Sequence, residues 1–423
     1  MPDRIERALV HRSHPDFKKF DGLCFLAKNL YNSTVYDIRQ VIFENRERRT
    51  KSKKLLKVPT HYDLVALYAK NDDVDYRALP AKLAQEVVKN AHAGFKSFLG
   101  SLKSNKVKHK PSLPGYKHSV YGRSVVIFNK QMISKNITQI RDNLFEYTVM
   151  PKTLGWKFYS TKDNVKNIRI IPGTDHYVIE FVYSTPAVEP VKTGVVMGID
   201  LGLRNVASLI TSNGGAVLIN GNPLKSVNQF YNKKLAELKS KLPKGVKTSH
   251  RIKNLHCARN RKIDWEIHNI SRFIVNHAVS TGVDAIIIGQ NKHWKQGTNL
   301  GKVTNQNFVS IPYTKLINQV VYKAEDNGIK VIVTEESYTS LASALDNDAL
   351  PVYGQKISHI QFSGKRRGGL YYRSNGSVLN ADLNGAMNIA RKVVPTINFK
   401  GIEGAVVRPS KVKTLRELVR LTS

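Results

Sequence analysis

The feature that most constrains the fold is the segment VVMGIDLG (residues 195–202), an apolar run that ends in a lone carboxylate, Asp200. An uninterrupted apolar run of this length predicts a buried strand. The chain continues as NVASLITSNGGAVLIN, which predicts a hairpin with Asn213 and Gly214 in its turn. Three consecutive strands of one sheet are therefore expected here.

The segments after this hairpin alternate between helix and strand. A long helical pair is expected over residues 227–280, and apolar runs predict strands at 285–289 and 329–336. One helix, around 313–327, lies between these strands, and a last helix spans about 382–393. A hairpin followed by alternating helix and strand predicts a mixed α/β sheet that is covered by helices.

The first half of the chain has a different pattern. Its first fourteen residues can supply one strand, and residues 17–98 have helical spacing, with a new helix after Pro80. Short β-type runs follow at 124–128, 167–172 and 176–183, and they predict a small antiparallel barrel or sheet. The tyrosines of these strands fit a nucleic-acid surface or a core equally well. At 423 residues, two or three domains are expected.

Charge indicates the class of partner. The chain has 67 Lys and Arg against 32 Asp and Glu, a formal net charge of +35. Such an excess repels itself in a compact fold unless a polyanion neutralises it, so we expect a nucleic-acid partner. The basic run RRTKSKKLLK (residues 48–57) fits either a solvated loop or an RNA contact, and residues 233–262 hold eleven Lys or Arg and one acid.

Cysteine usage and hydropathy exclude several classes of protein. The two cysteines, Cys24 and Cys257, are far apart, so neither a disulfide framework nor a four-cysteine zinc site is expected. The first residues lack an apolar signal core, and no run of about 18 apolar residues occurs. We therefore expect a soluble protein of the cytoplasm with no membrane partner.

Carboxylates near apolar strands are the candidate catalytic residues, because phosphodiester hydrolysis by two Mg²⁺ ions needs several hard oxygen ligands at one point. Asp200 ends the first strand, Glu335 and Glu336 end the strand at 329–336, and Asp382 opens the last helix. Turn capping is the structural alternative for Asp200, and helix N-capping is the alternative for Asp382. Adjacent strand residues face opposite ways, so only one of the two glutamates should point inward.

Two strings carry a family resemblance. GIDLGLRNVASL (residues 198–209) and NADLNGAMNI (380–389) resemble the first and third RuvC motifs of TnpB proteins, insertion-sequence nucleases related to type V CRISPR effectors. NKHWKQ (291–296) and ESYTS (336–340) fit between them. Upstream, DGLCFLAKNLYN, LPAKLAQEVVKNAHAGFKSF and PSLPGYK resemble the recognition lobe and wedge barrel of the same family. The resemblance covers nearly the whole chain.

The resemblance implies an α/β RNase H-like (RuvC) nuclease domain and an N-terminal wedge β-barrel that is interrupted by a helical recognition lobe. The implied domains are a first barrel strand at 1–14, the lobe at 15–105, the rest of the barrel at 106–190, the nuclease at 191–336 and 379–423, and an insert at 337–378 where the family has its zinc ribbon.

The chain departs from the family pattern in two places. Gly289 replaces the Glu that usually ends the strand at 285–289. Some TnpB groups and the related eukaryotic Fanzor proteins are similar in carrying this Glu on the following strand, two residues before Tyr-Thr-Ser, which favours Glu336 over Glu335. The insert has no cysteine, so no zinc is expected, and apolar packing would have to hold it. The candidates for that packing are Leu345, Leu350, Tyr353, Ile357, Ile360, Phe362 and Leu370.

By the resemblance, Asp200, Glu336 and Asp382 are the catalytic, metal-binding acids, with Glu335 as second choice, and they bind two Mg²⁺ or Mn²⁺ ions in one site. Basic residues in the charged segments are expected to contact nucleic acid. They are Arg48, Arg49, Lys51, Lys53, Lys54, Lys108, Lys110, Lys233, Lys234, Arg251, Arg259, Arg261, Lys365, Arg366 and Arg367.

The implied function is RNA-guided, Mg²⁺-dependent cleavage of double-stranded DNA beside a short flanking motif, by a transposon-encoded protein that is monomeric on its RNA. The guide would be an RNA from the transposon end (omega-type or right-end RNA). A nuclease-dead RNA-guided repressor, a compact CRISPR effector with a crRNA, and a DNA-strand-transfer enzyme remain alternatives. We expect a prokaryotic host, with the protein at the nucleoid when it is bound to DNA.

Overall fold

The computed structural model describes residues 2–103, 111–151, 154–190, 192–291, 310–354, 360–399, 402–412 and 417. The chain divides into two compact units, residues 1–186 and 187–423, close to the boundary predicted at 190/191. Within the described ranges, no helix is both long and apolar enough to cross a membrane.

Four helices are described in the first unit: α1 (Phe17–Thr50), α2 (His61–Lys70), α3 (Val74–Arg77) and α4 (Ala81–Lys103). α2 begins with a capping box, in which Thr60 and Asp63 each accept a backbone N–H of the other. α4 begins directly after Pro80, which confirms that prediction. Its buried residues recur at helical spacing and pack against α1; they are Leu83, Val87, Ala91 and Phe95.

Strands surround this helical segment in the sequence. They are β1 (Asp3–His11), β2 (Val126–Phe128), β3 (Thr138–Arg141), β4 (Leu144–Thr148), β5 (Lys157–Ser160), β6 (Val165–Pro172) and β7 (His176–Ser184). β1 pairs antiparallel with β7 along its whole length, in a sheet of order β1-β7-β6-β2, and β3, β4 and β5 form a second sheet. One hydrophobic core joins the helices and both sheets. The closed wedge barrel remains a prediction.

The second unit contains more strands and five described helices. The strands are β8 (Val196–Asp200), β9 (Asn205–Thr211), β10 (Ala216–Asn220), β11 (Ala285–Gly289), β12 (Lys330–Thr334), β13 (Lys365–Arg367), β14 (Leu370–Tyr372), β15 (Val378–Asn380) and β16 (Ser410–Val412). The helices are α5 (Asn222–Ser240), α6 (His250–Ser280), α7 (Tyr313–Glu325), α8 (Ala381–Val393) and α9 (Glu403–Val407).

Six of these strands form one sheet of order β12-β11-β8-β9-β10-β16. β8, β9 and β10 are antiparallel neighbours, which confirms the predicted hairpin, and β11 and β12 are added in parallel next to β8. Three antiparallel strands, with two parallel strands added on the side of the first, form the RNase H-like fold to which RuvC nucleases belong. β8, β11 and β12 therefore end at the same edge of the sheet.

Helices cover both faces of this sheet, and the alternation of strand residues determines which face each residue contacts. Met197 and Ile199 of β8 lie in the core with α6 and α7, whereas Val196 lies in the core with α8. Gly198 and Asp200 follow Val196 at every second position, so they face α8. On α6, apolar residues recur at helical spacing and are buried, at Ile263, Ile267, Ile270 and Ile274.

Some of the apolar residues that the sequence suggests do pack in the insert between β12 and α8: Leu345 packs against a cluster of buried residues, and Leu350, Ile360 and Phe362 are partly buried. Tyr353 is 83% exposed and Leu370 is 45% exposed, so these two predictions are wrong. Leu370 faces outward because strand alternation in β14 turns the next residue, Tyr371, inward, where it is fully buried. Ile357 lies outside the described residues.

Polar contacts hold the insert as well. Asp346 accepts hydrogen bonds from both Arg373 Nη2 (2.5 Å) and Arg373 Nε (3.1 Å), and one from the hydroxyl of Ser343 at 2.5 Å. The hydrogen bonds from Arg373 hold the pKa of Asp346 below its usual value, although burial opposes them. A largely enclosed ion pair thus lies in the segment where the family resemblance leads one to expect zinc.

Candidate active site

Three carboxylates meet at the edge of the sheet where the parallel strands end. Asp200 is the last residue of β8, Glu336 lies two residues beyond β12, and Asp382 is in the first turn of α8. All three line one cavity of about 630 Å³. The carboxyl edge of an α/β sheet is the usual place for a site in such folds, because the backbone opens out there.

Glycines allow α8 to lie directly against the end of β8. A Cβ on Gly198 would be 2.2 Å from a backbone carbonyl oxygen of α8, and a Cβ on Gly385 would be 2.9 Å from Asp200 Oδ2. A larger residue at either position would therefore push the helix away from the strand. On the other face, the buried Tyr313 donates its hydroxyl to the Gly202 carbonyl at 2.7 Å and so fixes the turn after Asp200.

The two neighbouring glutamates face in opposite directions. Glu336 faces the cavity and is held by Asn291, whose Nδ2 donates to Glu336 Oε1 at 3.3 Å and whose Oδ1 accepts the Glu336 N–H at 3.0 Å. Glu335 instead accepts hydrogen bonds from Lys392 and from the backbone N–H of Ser337. Burial raises the pKa of Glu335, but these contacts outweigh it and lower the pKa below its usual value. Glu336 is the glutamate that belongs to the acid cluster.

Asp382 is directed at the cavity and does not cap its own helix. Asn380 is the N-cap residue of α8, because its Oδ1 accepts the backbone N–H groups of Asp382 and Leu383. The Asp382 carboxylate accepts hydrogen bonds from Asn205 Nδ2 at 2.8 Å and from Arg366 Nη2 at 2.9 Å. Helix capping therefore does not explain Asp382, and a cation from the insert already contacts it.

Burial and repulsion between the negative charges raise the pKa of two carboxyl groups in the cluster. Burial and the charges of Glu336 and Asp382 raise the pKa of Asp200 well above its usual value, with Arg366 acting in the opposite direction. Burial, and next the charge of Glu335, raises the pKa of Glu336 to about 7. A cation bound among these side chains would favour their ionised forms.

The donor chemistry of this cluster suits Mg²⁺, although its present arrangement is not a ligand set. Carboxylates are the hard oxygen donors that Mg²⁺ prefers. In the described part of the chain, however, no group of three or more His, Cys, Asp or Glu side chains is arranged so that it could hold a metal ion. Arg366 occupies an oxygen of Asp382. A metal ion bound at Asp382 Oδ1 would therefore compete with Arg366.

The geometry around Gly289 explains why a glutamate is absent from the end of β11. A Cβ on Gly289 would lie 2.9 Å from Glu336 Oε2 and 2.5 Å from Ile389 Cδ1. A side chain at position 289 and the side chain of Glu336 would thus compete for the same space. The glycine at 289 therefore leaves free the space that the Glu336 side chain occupies.

Buried asparagines of α8 fasten the loop that follows Glu336. Asn384 accepts the Ala344 N–H and donates to the Ala342 carbonyl, and Asn388 donates to the carbonyls of Thr339 and Ala342. Both asparagines are fully buried, so these bonds satisfy groups that would otherwise be costly to enclose. The cluster of short polar residues in NADLNGAMNI thus supports the position of Glu336.

Sequence reasoning did not single out Asn205 and Asn291 as site residues. Asn205 belongs to the first motif string, and Asn291 opens NKHWKQ directly after β11. Only their positions in the sequence could have indicated a role: each is an asparagine next to a strand end at the edge of the sheet where the carboxylates lie. The rest of NKHWKQ lies outside the described residues.

The predicted nucleic-acid contacts are spread over several elements and remain predictions. The structure places five at the end of α1 and just after it, two on α5, three on α6 and three on β13. Several already have protein partners: Arg48 bonds Glu44, Arg259 bonds Asn228, and Arg366 bonds Asp382. Lys108 and Lys110 lie outside the described residues.

Two family models match the chain. The model OrfB_IS605, described as a probable transposase, matches residues 176–295, which contain Asp200. A model of the Cas12f1-like TNB domain matches residues 313–389, which contain Glu336 and Asp382. The two matched segments thus cover all three carboxylates of the cluster.

Two curated proteins are similar to the chain. A TnpB-like protein of Acidianus two-tailed virus is 25% identical over 217 residues, which are 49% of this chain and 43% of that protein. The CRISPR-associated endodeoxyribonuclease Cas12f1 of Sulfoacidibacillus thermotolerans is 27% identical over 215 residues, which are 48% of this chain and 46% of that protein. The chain therefore spans less than half the length of the curated relatives that it matches.

Solved structures resemble the chain at low identity. A Cas12f1–sgRNA–target DNA complex has a TM-score of 0.49 at 16% identity, covering 88% of this chain and 82% of that one. The mini-RNA-guided endonuclease CRISPR-Cas_phi3 has a TM-score of 0.45 at 11% identity, covering 93% and 92%. Since both TM-scores are below 0.5, the fold assignment rests on strand order.

The strand order defines the second unit as RNase H-like, and three carboxylates line a cavity at one edge of its sheet. Over parts of its length, the chain is thus similar to a probable-transposase family model, a Cas12f1-like TNB domain, a TnpB-like protein and a Cas12f1 endodeoxyribonuclease.

Proposed function

We propose that this protein is an RNA-guided, Mg²⁺-dependent endonuclease that is encoded by a transposon and cuts double-stranded DNA beside a short flanking motif. The observation that carries the proposal is the convergence of Asp200, Glu336 and Asp382 at the carboxyl edge of the RNase H-like sheet. The net charge of +35 supports a polyanionic partner. The relatives' names, a TnpB-like protein and a CRISPR-associated endodeoxyribonuclease, support the activity.

The three acids would hold two Mg²⁺ or Mn²⁺ ions in a single site. When bound, such ions activate a water molecule and stabilise charge on the attacking and leaving oxygens of the phosphodiester. Asn291 keeps Glu336 turned toward the cavity, and Asn205 orients the carboxylate of Asp382. The same site would cut first the displaced DNA strand and then the strand paired with the guide.

The guide would be an RNA derived from the transposon end. Base pairing with this RNA would select the target sequence, while the protein would read the shape of the duplex and the flanking motif. Lysine and arginine residues of α5, α6 and the end of α1 would contact phosphates. They lie in segments where basic residues greatly outnumber acidic ones. The protein would act as a monomer on its RNA.

Replacing Asp200 with asparagine tests the proposal. Asp200→Asn should abolish cleavage, because it removes the carboxylate on which the charges of both Glu336 and Asp382 act, yet guide-dependent DNA binding should persist. Cleavage of a target plasmid and binding of a labelled target duplex would be measured on the same purified complex. Undiminished cutting by Asp200→Asn protein would refute the assignment of the site.

Two alternatives have a specific observation in their favour. The relative from Sulfoacidibacillus thermotolerans is named as CRISPR-associated, which favours a compact CRISPR effector with a crRNA. The contact between Arg366 and Asp382 favours a nuclease-dead repressor in which an arginine has permanently replaced the metal. Sequencing the RNA that copurifies with the protein separates a transposon-end guide from a crRNA, and plasmid nicking in Mg²⁺ separates a nuclease from a repressor.

A further inference from the structure

The surface formed by α5 and α6 has an exposed groove lined by aromatic side chains, and none of its lining residues belongs to the cavity of the acid cluster. The groove measures about 650 Å³, a size typical of small-ligand sites. Its lining includes Phe230 and Trp265, which are 67% and 54% exposed, and also Arg261 and Lys262. Large rings grouped on a surface indicate a binding site, because water solvates them poorly.

Hydrogen bonds hold the polar part of this groove in place. The Tyr231 hydroxyl shares a 2.7 Å hydrogen bond with His256 Nδ1, and the Arg259 guanidinium lies 5.7 Å from the centre of the Tyr231 ring. Arg259 also donates to Asn228 Oδ1, at 2.7 and 2.9 Å, and to the Ser310 carbonyl at 2.7 Å. A preformed groove binds with little loss of conformational entropy.

The charge around the groove indicates the chemistry of the occupant. Residues 222–265 contain twelve Lys or Arg and two acids. Both acids are already ion-paired: Glu237 contacts Lys234 and Lys241, and Asp264 contacts Lys315. The surface is therefore strongly positive. It would repel a second copy of a chain whose net charge is +35, and it would attract a polyanion.

We propose that this groove holds an unpaired base of a single-stranded RNA. Trp265 and Phe230 would stack on the base, while Arg261 and Lys262 would contact the phosphates beside it. Aromatic rings next to a basic track are the features with which proteins bind single strands. RNA is the occupant because, under the proposed function on which this inference rests, the guide stays bound while DNA targets come and go.

The test measures binding of short single-stranded RNAs by the full-length protein after its copurified RNA has been removed. Trp265→Ala and Phe230→Ala should each weaken binding roughly 5- to 150-fold, the range for loss of one stacked base. The dependence of affinity on salt should stay unchanged, because no charge is lost. Lys262→Ala should instead reduce the salt dependence. Trp265→Phe, which keeps a ring, should restore most of the affinity.

Tyr353→Ala is the matched control, because it removes another exposed ring, 83% accessible, that does not line this groove. A 2-aminopurine base in the RNA should lose fluorescence on binding to wild-type protein and keep it with Trp265→Ala protein. Wild-type affinity in both ring variants would overturn the inference. Quenching seen with single-stranded DNA and absent with RNA would overturn the assignment to RNA. A wild-type protein that binds no nucleic acid at all would instead contradict the proposed function itself.

Discussion

Replacing Arg366 with methionine removes the cation that now contacts the acid cluster. Arg366 lies on β13, in the insert, and donates from Nη2 to Asp382 Oδ1 at 2.9 Å. A metal ion that bound Asp382 Oδ1 would compete with this guanidinium for the carboxylate. Methionine keeps the unbranched apolar part of the side chain at position 366 but has neither the charge nor the donor.

The size of the effect follows from the exposure of the pair. The side chains of Arg366 and Asp382 are 36% and 20% exposed, so solvent weakens their attraction. A shielded hydrogen bond to a charged group contributes about 1.5–3 kcal/mol, whereas an exposed ion pair contributes about 0–1 kcal/mol. The Arg366–Asp382 pair is intermediate in exposure, so we take its contribution as about 1 kcal/mol. Because arginine and metal compete for one carboxylate, Arg366→Met should bind metal roughly fivefold more tightly. Loss of the repelling charge acts in the same direction.

The assay is calorimetric titration of Mn²⁺ into guide-free protein. Arg367→Met is the matched control: it removes the same charge from the same strand, and the Arg367 guanidinium lies over the ring of Tyr372. We expect tighter Mn²⁺ binding in Arg366→Met than in Arg367→Met and wild type. Equal affinities in the two variants would refute the competition between Arg366 and the metal.

Three further predictions follow from other contacts. Glu336→Gln should abolish cleavage, whereas Glu335→Gln should keep it and lower the melting temperature; equal loss of cleavage in both would contradict the assigned geometry. Gly289→Glu combined with Glu336→Gly should cleave more DNA than Glu336→Gly alone, because the new side chain enters the space left by Glu336 once the end of the Ile389 side chain turns aside; identical rates would count against this. Burial, and next the charge of Arg272, lowers the pKa of Lys323 from 10.5 to about 7, so between these pH values only the unfolded chain holds this proton. The contribution of Lys323 to the free energy of unfolding should therefore rise between pH 7 and pH 10.5, by at most about 1.4 kcal/mol per pH unit. Urea denaturation should show that Lys323→Met removes this rise, and an unchanged pH dependence in the variant would contradict the prediction.

Most strands of the six-stranded sheet in the second unit are predictable from the sequence, because their apolar segments follow one another in the order that the RNase H-like topology requires. The apolar run that ends at Asp200, the hairpin after it and the two later strands are each short apolar segments with clear ends. Parallel strands must end at a common edge, so the convergence of Asp200 with Glu336 follows from the strand order. The alternation of strand residues likewise predicts that only one of the two glutamates faces the cavity.

Contacts that depend on distant segments are not predictable in this way. Arg366 is one of three consecutive basic residues, and only the fold brings it to Asp382. The insert illustrates a second limit: a one-residue difference in register decides that Tyr371 is buried and Leu370 is exposed. The ion pair of Asp346 with Arg373 joins residues on separate segments, and no periodic pattern marks it.

Redirecting the guide tests the central claim most directly. The purified protein would be reconstituted with its copurified RNA, and separately with the same RNA carrying a different guide segment. Each complex would then be incubated with plasmids that match one guide or the other, in Mg²⁺. We expect that cutting follows the guide and disappears in Asp200→Asn protein. Cutting that ignores the guide, or that persists in protein freed of RNA, would contradict it.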